Sequence, residues 1–383
     1  PIAHNGYLDI EVNGQEKRIH ITRAHIEEDP GKLIHTGESI TTSFASYVDY
    51  NRSGIPLIEI VSEPEIRSGE EAKAYLEKLK SILEYTGVSD VKMEQGSLRC
   101  DANISVRPAG TTTFGIKTEI KNMNSFRAVQ RAIEYEIDRQ IELLEDGGTI
   151  IAETRGWDEN KGITVSMRSK EDPDYRSFLE HEISDIKLTP EWIEEVRAAL
   201  PELPDARKER LVKEHGLPAY DAGIITGSLA LAEFFDAVYE KYPDAKTISN
   251  WIMGELLRLL NARNLELSQA KITPEGLAKL LELIKKGTIS NKMGKEVFEL
   301  MFEEGNDPEQ IVKERGMVQI SDEEQLAQIL TEVIAQNPKS VADFQSGKRQ
   351  AIGFLVGQVM KATKGQANPG VVNTMLRNML AEK

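Results

Sequence analysis

The chain has 383 residues, 40% of them hydrophobic and 29% charged, with a formal net charge of −16. Its length predicts two or three domains and its composition is ordinary for a globular chain, while the acidic balance argues against broad, non-specific nucleic-acid binding. No apolar run approaches the roughly 18 residues that a bilayer span needs, no signal-peptide pattern is present, and the single cysteine, Cys100, excludes intramolecular disulfides and cysteine-based zinc. These features together read as cytosolic. The first residue is Pro1, which reads as the start of a fragment or a processed product.

Residues 6–22 predict a hairpin, in which Tyr7–Val12 and Lys17–Thr22 flank Asn13-Gly14, a pair suited to a type I′ turn. Pro56-Leu-Ile-Glu-Ile-Val is a further strand, apolar except at Glu59. A helix follows, with Ser68 as N-cap, Glu71 completing a capping box and Gly87 as its stop.

The stretch from Met93 to Phe126 carries the most information. Leu98, Cys100, Ala102, Ile104 and Val106 alternate with Arg99, Asp101, Asn103 and Ser105. Ile116, Thr118 and Ile120 alternate with Lys117, Glu119 and Lys121. Paired, these strands build a platform of fixed cations, carboxylates and an amide. A strand with one wet face alternates in the same way, yet Asp101 and Asn103 are poor strand formers placed mid-strand. Cys100 falls on the apolar side, where a buried structural thiol is the expected reading.

A long helix is predicted next, with Phe126, Val129, Ile133, Ile137, Ile141 and Leu144 on one stripe and Gly147-Gly148 as its end. Residues 149–168 read as a hairpin around Asn160-Lys161-Gly162. Beyond about residue 187 the strand signal stops. Helix starts recur at Thr189-Pro190, Pro204-Asp205, Thr273-Pro274, Asp307-Pro308 and Ser321. The fold class is α+β: an antiparallel-sheet cradle over 1–186, an all-α helical domain over 187–317, and a small helical tail over 318–383. Residues 339–383 hold seven cations against two carboxylates, a basic patch on an acidic chain. Lys361 and Lys364 lie one turn apart there, placed for phosphate contact or simply solvated.

No Walker A loop, no Gly-x-Gly-x-x-Gly opening a helix and no kinase-type loop is present. The acidic run Glu27-Glu28-Asp29 suits Mg²⁺, which prefers oxygen ligands, and reads equally as a solvated turn. A carboxylate at Glu59, inside an apolar strand, is costly unless paired or metal-bound. Acidic residues, alternating cations and a helix start are the inventory that phosphoryl transfer uses.

At these residues the chain resembles the B subunit of the bacterial tRNA-dependent amidotransferases, GatB. The matching segments are His25-Ile-Glu-Glu-Asp, Pro56-Leu-Ile-Glu-Ile-Val-Ser-Glu-Pro, Val88-Ser-Asp-Val-Lys-Met-Glu, Gly96-Ser-Leu-Arg-Cys-Asp-Ala-Asn and Glu119-Ile-Lys-Asn-Met-Asn-Ser-Phe. Pro201-Glu-Leu-Pro-Asp, Gly216-Leu-Pro-Ala-Tyr-Asp and Lys364-Gly-Gln-Ala-Asn-Pro extend the match to the far end. The resemblance implies a heterotrimer with an amidase A subunit, which frees ammonia from glutamine, and a small C subunit. It implies that ATP and Mg²⁺ serve to phosphorylate the side-chain carboxylate of glutamate or aspartate misacylated on tRNA, and that ammonia then displaces phosphate. It implies a cradle, a helical domain and a YqeY-like tail that contacts tRNA.

Carried over residue by residue, the resemblance makes Glu28 and Asp101 metal ligands, with Glu59 as a further carboxylate. It makes Glu94, Arg99, Lys117, Glu119 and Lys121 catalytic, the three cations as phosphate contacts, and it places Lys361 and Lys364 against nucleic acid. The family's N-terminal segment of about a hundred residues, with its Glu-x-His metal pair, is expected to be missing, leaving the cradle incomplete. The chain also departs from the family at Pro30, at Ser39–Tyr47 and over Asp174–Ile183. A non-catalytic tRNA-binding or assembly scaffold is the alternative reading.

Overall fold

The computed structural model describes residues 1–36, 45–169, 187–317, 323–346, 348, 350–363 and 366–381. Lys364, Ser321, the Asp174–Ile183 segment and most of Ser39–Tyr47 lie outside them. The chain divides into two compact units, Pro1–Pro204 and Asp205–Lys383.

In the first unit, β1 (Ala3–Val12), β2 (Gln15–Glu28) and β5 (Pro56–Ser62) form an antiparallel sheet in the order β1-β2-β5. The β1–β2 turn is type I′, as Asn13-Gly14 predicts, because both residues take positive φ (52° and 74°). β3 (Lys32–His35) and β4 (Ser46–Asp49) pair as a separate hairpin. α1 (Gly69–Tyr85) is capped by Ser68, whose Oγ accepts from the Glu71 N–H at 3.1 Å. The Glu71 carboxylate reaches the Arg67 N–H at 2.6 Å, one residue before the cap, so the box closes one position earlier than expected.

The second sheet has the order β6-β7-β8-β9: β6 (Ala102–Ile104), β7 (Thr118–Lys121), β8 (Glu153–Asp158) and β9 (Ile163–Ser169). Its pairings are antiparallel except β7–β8, which run parallel. A parallel pair needs a crossover, and α2 (Phe126–Glu145) supplies it. The platform strands are shorter than the alternation predicts. Pairing is confined to Ala102–Ile104 with Thr118–Ile120, because residues 98–101 leave the sheet to make contacts elsewhere and 111–117 are exposed throughout. α3 (Pro190–Ala199) starts at Thr189, whose Oγ1 accepts from the Trp192 N–H.

One core binds these layers. Leu8, Ile10 and Ile19 of the first sheet, Tyr75 and Leu76 of α1, Val129, Ala132 and Ile133 of α2, and Ile104, Ile120 and Trp157 of the second sheet are buried together. Full burial of each large aliphatic or aromatic side chain contributes about 1.5–3 kcal/mol. The α2 stripe outlasts this core, since Ile141 and Leu144 are exposed.

The second unit is helical among the described residues: α4 (Pro204–Lys213, which starts at the boundary), α5 (Ala219–Thr226), α6 (Leu229–Tyr239), α7 (Ala245–Trp251), α8 (Leu257–Arg263), α9 (Pro274–Lys285), α10 (Asn291–Glu304) and α11 (Pro308–Glu314). The predicted starts at Thr273 and Asp307 are caps, accepting from the Gly276 and Glu309 N–H groups at 3.1 and 2.9 Å. The last helices are α12 (Glu323–Gln336), α13 (Pro338–Gln345), α14 (Ala351–Ala362) and α15 (Pro369–Ala381). These have their own core, in which Leu326, Leu330 and Val333 meet Ile352, Leu355, Val359, Val372, Leu376 and Leu380. Among the described residues no single helix is long and apolar enough to cross a membrane.

Candidate functional site

The strand period divides β7 between two environments. Thr118 and Ile120 are fully buried, which turns Glu119 and Lys121 to the opposite, open face of the sheet. Register places Asn103 opposite Glu119 on one side, and Thr154 and Gly156 beside Glu119 and Lys121 on the other. Lys121 Nζ lies 2.6 Å from Asp101 Oδ2 and 3.6 Å from Glu119 Oε1. Glu119 Oε2 accepts from Thr154 Oγ1 at 2.8 Å. Burial pulls the Lys121 ammonium down, but the Asp101 and Glu119 carboxylates outweigh it and hold its pKa above the usual lysine value. Gly156 lets Met167 and Asn122 pack close to the strand: a Cβ there would come within 3.0 Å of Met167 Sδ and 3.2 Å of Asn122 Nδ2.

The underside of the sheet is also polar. Glu136 of α2 is 0% exposed. It accepts from Arg139 at 2.6 and 2.9 Å, from Gln140 Nε2 at 2.9 Å and from Thr164 Oγ1 of β9 at 2.9 Å. Arg155 of β8 donates to Glu153 at 2.6 Å and lies 3.6 Å from Glu136. Desolvation raises the Glu136 carboxyl, but these donors prevail and hold it below the usual glutamate value. The network ties α2 to the two strands that back the open face.

A second junction forms where β2 ends. Asp29 is 7% exposed. Its Oδ2 lies 2.9 Å from Arg99 Nη2 and 3.3 Å from Arg52 Nη2, and its Oδ1 accepts from the Gly31 N–H at 2.9 Å. Backbone bonds to Ile55 O and from the Gly54 N–H, each 2.9 Å, lock it against the turn that carries Arg52. Arg99 reaches this junction while Asp101, two residues on, reaches Lys121. An extended chain spans about 7 Å over that step, so Arg99-Cys100-Asp101 links the two ionic clusters. Cys100 packs against the core, and burial first, then the Asp101 charge, pushes its thiol up to about 12. It is a protonated thiol at neutral pH, half-buried against the core on the apolar side.

The candidate residues therefore fall into two sets. Arg99, Asp101, Glu119 and Lys121 stand in these linked clusters. Glu59 lies opposite His25 across β2–β5, with Arg23 Nη2 3.8 Å from its Oε1. Glu28 is exposed, at the register position opposite Pro56. Glu94 is exposed in the turn closed by the Gly96 N–H on Met93 O, and Lys117 is exposed just before β7. Among the described residues, no group of three or more His, Cys, Asp and Glu stands close enough to hold a metal ion. Mg²⁺ is commonly held by one or two carboxylates with substrate phosphates and water. Among the described residues, Glu28, Glu59 and Asp101 form no all-protein cage.

Arg52, Thr154 and Gly156 escape sequence reasoning, and Asp29, read there as part of an Mg²⁺-suited or solvated acidic run, is instead buried against two guanidinia. Only Asp29 carried a local signal, since Asp-Pro-Gly marks a turn and Gly31 takes φ 106°. Lys361 sits on α14 beside a groove of about 720 Å³ lined also by Ser290, Lys292 and Asn368. Asn368 Oδ1 caps α15, accepting from the Gly370 and Val371 N–H groups at 2.9 and 3.3 Å.

Comparison with known proteins covers both units. Residues 1–194 match a family model described as the GatB/GatE catalytic domain, and residues 233–380 match one described as a GatB domain. The chain is similar to the B subunit of the aspartyl/glutamyl-tRNA(Asn/Gln) amidotransferase of Carboxydothermus hydrogenoformans, 58% identical over 383 residues, covering 100% of this chain and 79% of that protein. The protein of that name from Moorella thermoacetica is 60% identical over 381 residues, 99% of this chain and 80% of its own length. That from Bacillus licheniformis is 56% identical over 377 residues, 98% and 78% of the two chains.

Proposed function

This chain belongs to the family of aspartyl/glutamyl-tRNA(Asn/Gln) amidotransferase B subunits, and from that premise we propose that it activates the misacylated residue for amide formation. The side-chain carboxylate of Glu-tRNA(Gln) or Asp-tRNA(Asn) attacks the γ-phosphorus of ATP, releasing ADP and leaving an acyl phosphate. Ammonia then attacks the acyl carbon, and inorganic phosphate departs with the former carboxylate oxygen. The products are Gln-tRNA(Gln) or Asn-tRNA(Asn). The enzyme is an ATP-dependent carbon–nitrogen ligase of the cytoplasm, with an amidase A subunit supplying ammonia and a small C subunit completing a heterotrimer.

The observation that carries this reading is a coincidence of place. The segment matching the catalytic-domain model is the segment whose two linked ionic clusters hold Arg99, Asp101, Glu119 and Lys121. Arg99, Lys117 and Lys121 supply fixed positive charge for the phosphoryl oxygens, the role such clamps fill in phosphoryl transfer. Glu94 and Glu119 are the acid–base candidates. Mg²⁺, when bound with the nucleotide, neutralises phosphate charge, and Glu28, Glu59 and Asp101 are the carboxylates that would hold it. In the tail, Lys361 and, three residues on in the sequence, Lys364 are the candidates for contact with tRNA.

The test uses the full-length protein assembled with both partner subunits and charged tRNA. With [α-³²P]ATP and no ammonia source, the proposal expects labelled ADP formation that depends on Glu-tRNA(Gln), and amide formation once glutamine is added. Amide formation without ATP, or ADP formation indifferent to charged tRNA, contradicts it.

A further inference from the structure

Asp29 faces two guanidinium groups. Arg52 and Arg99 both point an Nη2 at the same carboxylate oxygen, at 3.3 and 2.9 Å, so those nitrogens are no more than about 6 Å apart. One carboxylate against two guanidinia leaves a local positive charge, and like charges held this close repel unless a further anion joins them. Arg52 Nε is buried and has no hydrogen-bond partner, an unfavourable state for a donor. Arg99 is 52% exposed on its side chain, with only Nη2 engaged among the described residues.

The backbone at Gly96 approaches Arg52 closely without a side chain between them. Gly96 takes φ 76°, and a Cβ there would lie 3.0 Å from Arg52 Nη1. Arg52 itself is fixed by the turn that hydrogen-bonds Asp29 through Gly54 and Ile55. Two guanidinia brought from separate chain segments, with donors to spare and a side-chain-free neighbour, match the forked geometry that binds phosphate oxygens.

We propose that Arg52 and Arg99 form a two-guanidinium clamp, anchored on Asp29, that takes a phosphate oxyanion of the nucleotide substrate. The proposal rests on the phosphoryl-transfer reading above and adds Arg52 and Asp29 to it. Arg52 touches the bound phosphate; Asp29 positions both cations and sets the net charge they present.

The test measures equilibrium MgATP binding by the full-length chain in its assembled complex, with thermal melting alongside. Arg52→Gln is expected to weaken MgATP binding tenfold or more. Arg52→Lys recovers part of that loss, since it keeps the charge and loses the fork. Asp29→Asn keeps a side-chain oxygen that accepts from both guanidinia while removing the competing negative charge, so it is expected to leave binding unchanged or tighter. A purely structural role predicts instead that Arg52→Gln and Asp29→Asn weaken binding together, in step with melting temperature, and that result overturns the clamp, as does unchanged binding in Arg52→Gln. If the unsubstituted complex binds no MgATP, inorganic phosphate is titrated in its place. Saturable phosphate binding lost in Arg52→Gln keeps the clamp and discards the nucleotide reading; its absence overturns the clamp.

Discussion

Arg99 donates from Nη2 to Oδ2 of Asp29 across 2.9 Å, joining positions 70 residues apart in the chain. The bond separates the members of the Glu27-Glu28-Asp29 triplet by environment: Asp29 is buried against two guanidinia, while Glu27 and Glu28 stay exposed. Asp29→Ala strands both cations and one backbone N–H, and a charge-assisted hydrogen bond of this kind is worth about 2 kcal/mol. Glu28→Ala, at an exposed position, shifts stability by less than about 0.5 kcal/mol. Thermal or urea denaturation of the two variants checks the contrast, and equal losses contradict it.

Lys121 is the hinge of the open face. Its raised pKa means the ammonium persists below and through the ordinary lysine value and is lost only above it. Activity that depends on that charge therefore shows no alkaline limb from Lys121 in the neutral range. Lys121→Met removes the charge and lowers kcat about 10²–10³-fold, the usual scale for losing one pre-organised electrostatic contact. Lys121→Arg is expected to retain part of the rate. A pH–rate profile with unchanged kcat in Lys121→Met removes this residue from the mechanism.

Glu136 predicts an acid-sensitive fold. Its folded pKa lies below its unfolded value, so the stability it contributes is fully present above the unfolded glutamate value of 4.5 and is lost as pH falls through the folded value. Glu136→Gln leaves Arg139 partly buried without its carboxylate, with Arg155 held by Glu153 alone, and costs about 3 kcal/mol at neutral pH. The gap in stability between the parent and Glu136→Gln narrows in denaturation curves taken below pH 4.5. A gap constant with pH rules out the linkage.

For the tail, Lys361→Ala combined with Lys364→Ala weakens tRNA binding at low salt and reduces the slope of log affinity against log salt by about one for each phosphate no longer neutralised. Filter binding across a salt series measures both, and an unchanged slope rules out backbone contact by these lysines.

The parts of the fold that were legible share a local cause. Asn13-Gly14 marks its turn because few other residues accept two positive φ angles in succession. Thr189, Thr273 and Asp307 mark helix starts because their side chains satisfy N–H groups two or three residues on. The face shared by Glu119 and Lys121 follows from the two-residue period of a strand. Where local pattern misled, tertiary contacts prevailed. The alternation through Leu98–Asp101 reads as strand, yet Arg99 leaves the sheet for Asp29, and pairing is confined to Ala102–Ile104. Ile141 and Leu144 continue the helical stripe past the end of the core. Asp29 and Arg52 carry no sequence sign of their meeting, because that contact forms only when the β2 end and the 50–55 turn come together.

The most direct test of the central claim is tRNA-dependent ADP release by the assembled enzyme carrying Asp101→Asn. Asp101 is the link between the Arg99 and Lys121 clusters and a candidate Mg²⁺ carboxylate. The account predicts a fall of at least about a hundredfold in rate, with tRNA affinity and melting temperature close to those of the parent. Parental rates of ADP release and amide formation in Asp101→Asn would place the chemistry elsewhere and contradict the assignment of the open sheet face as the active site.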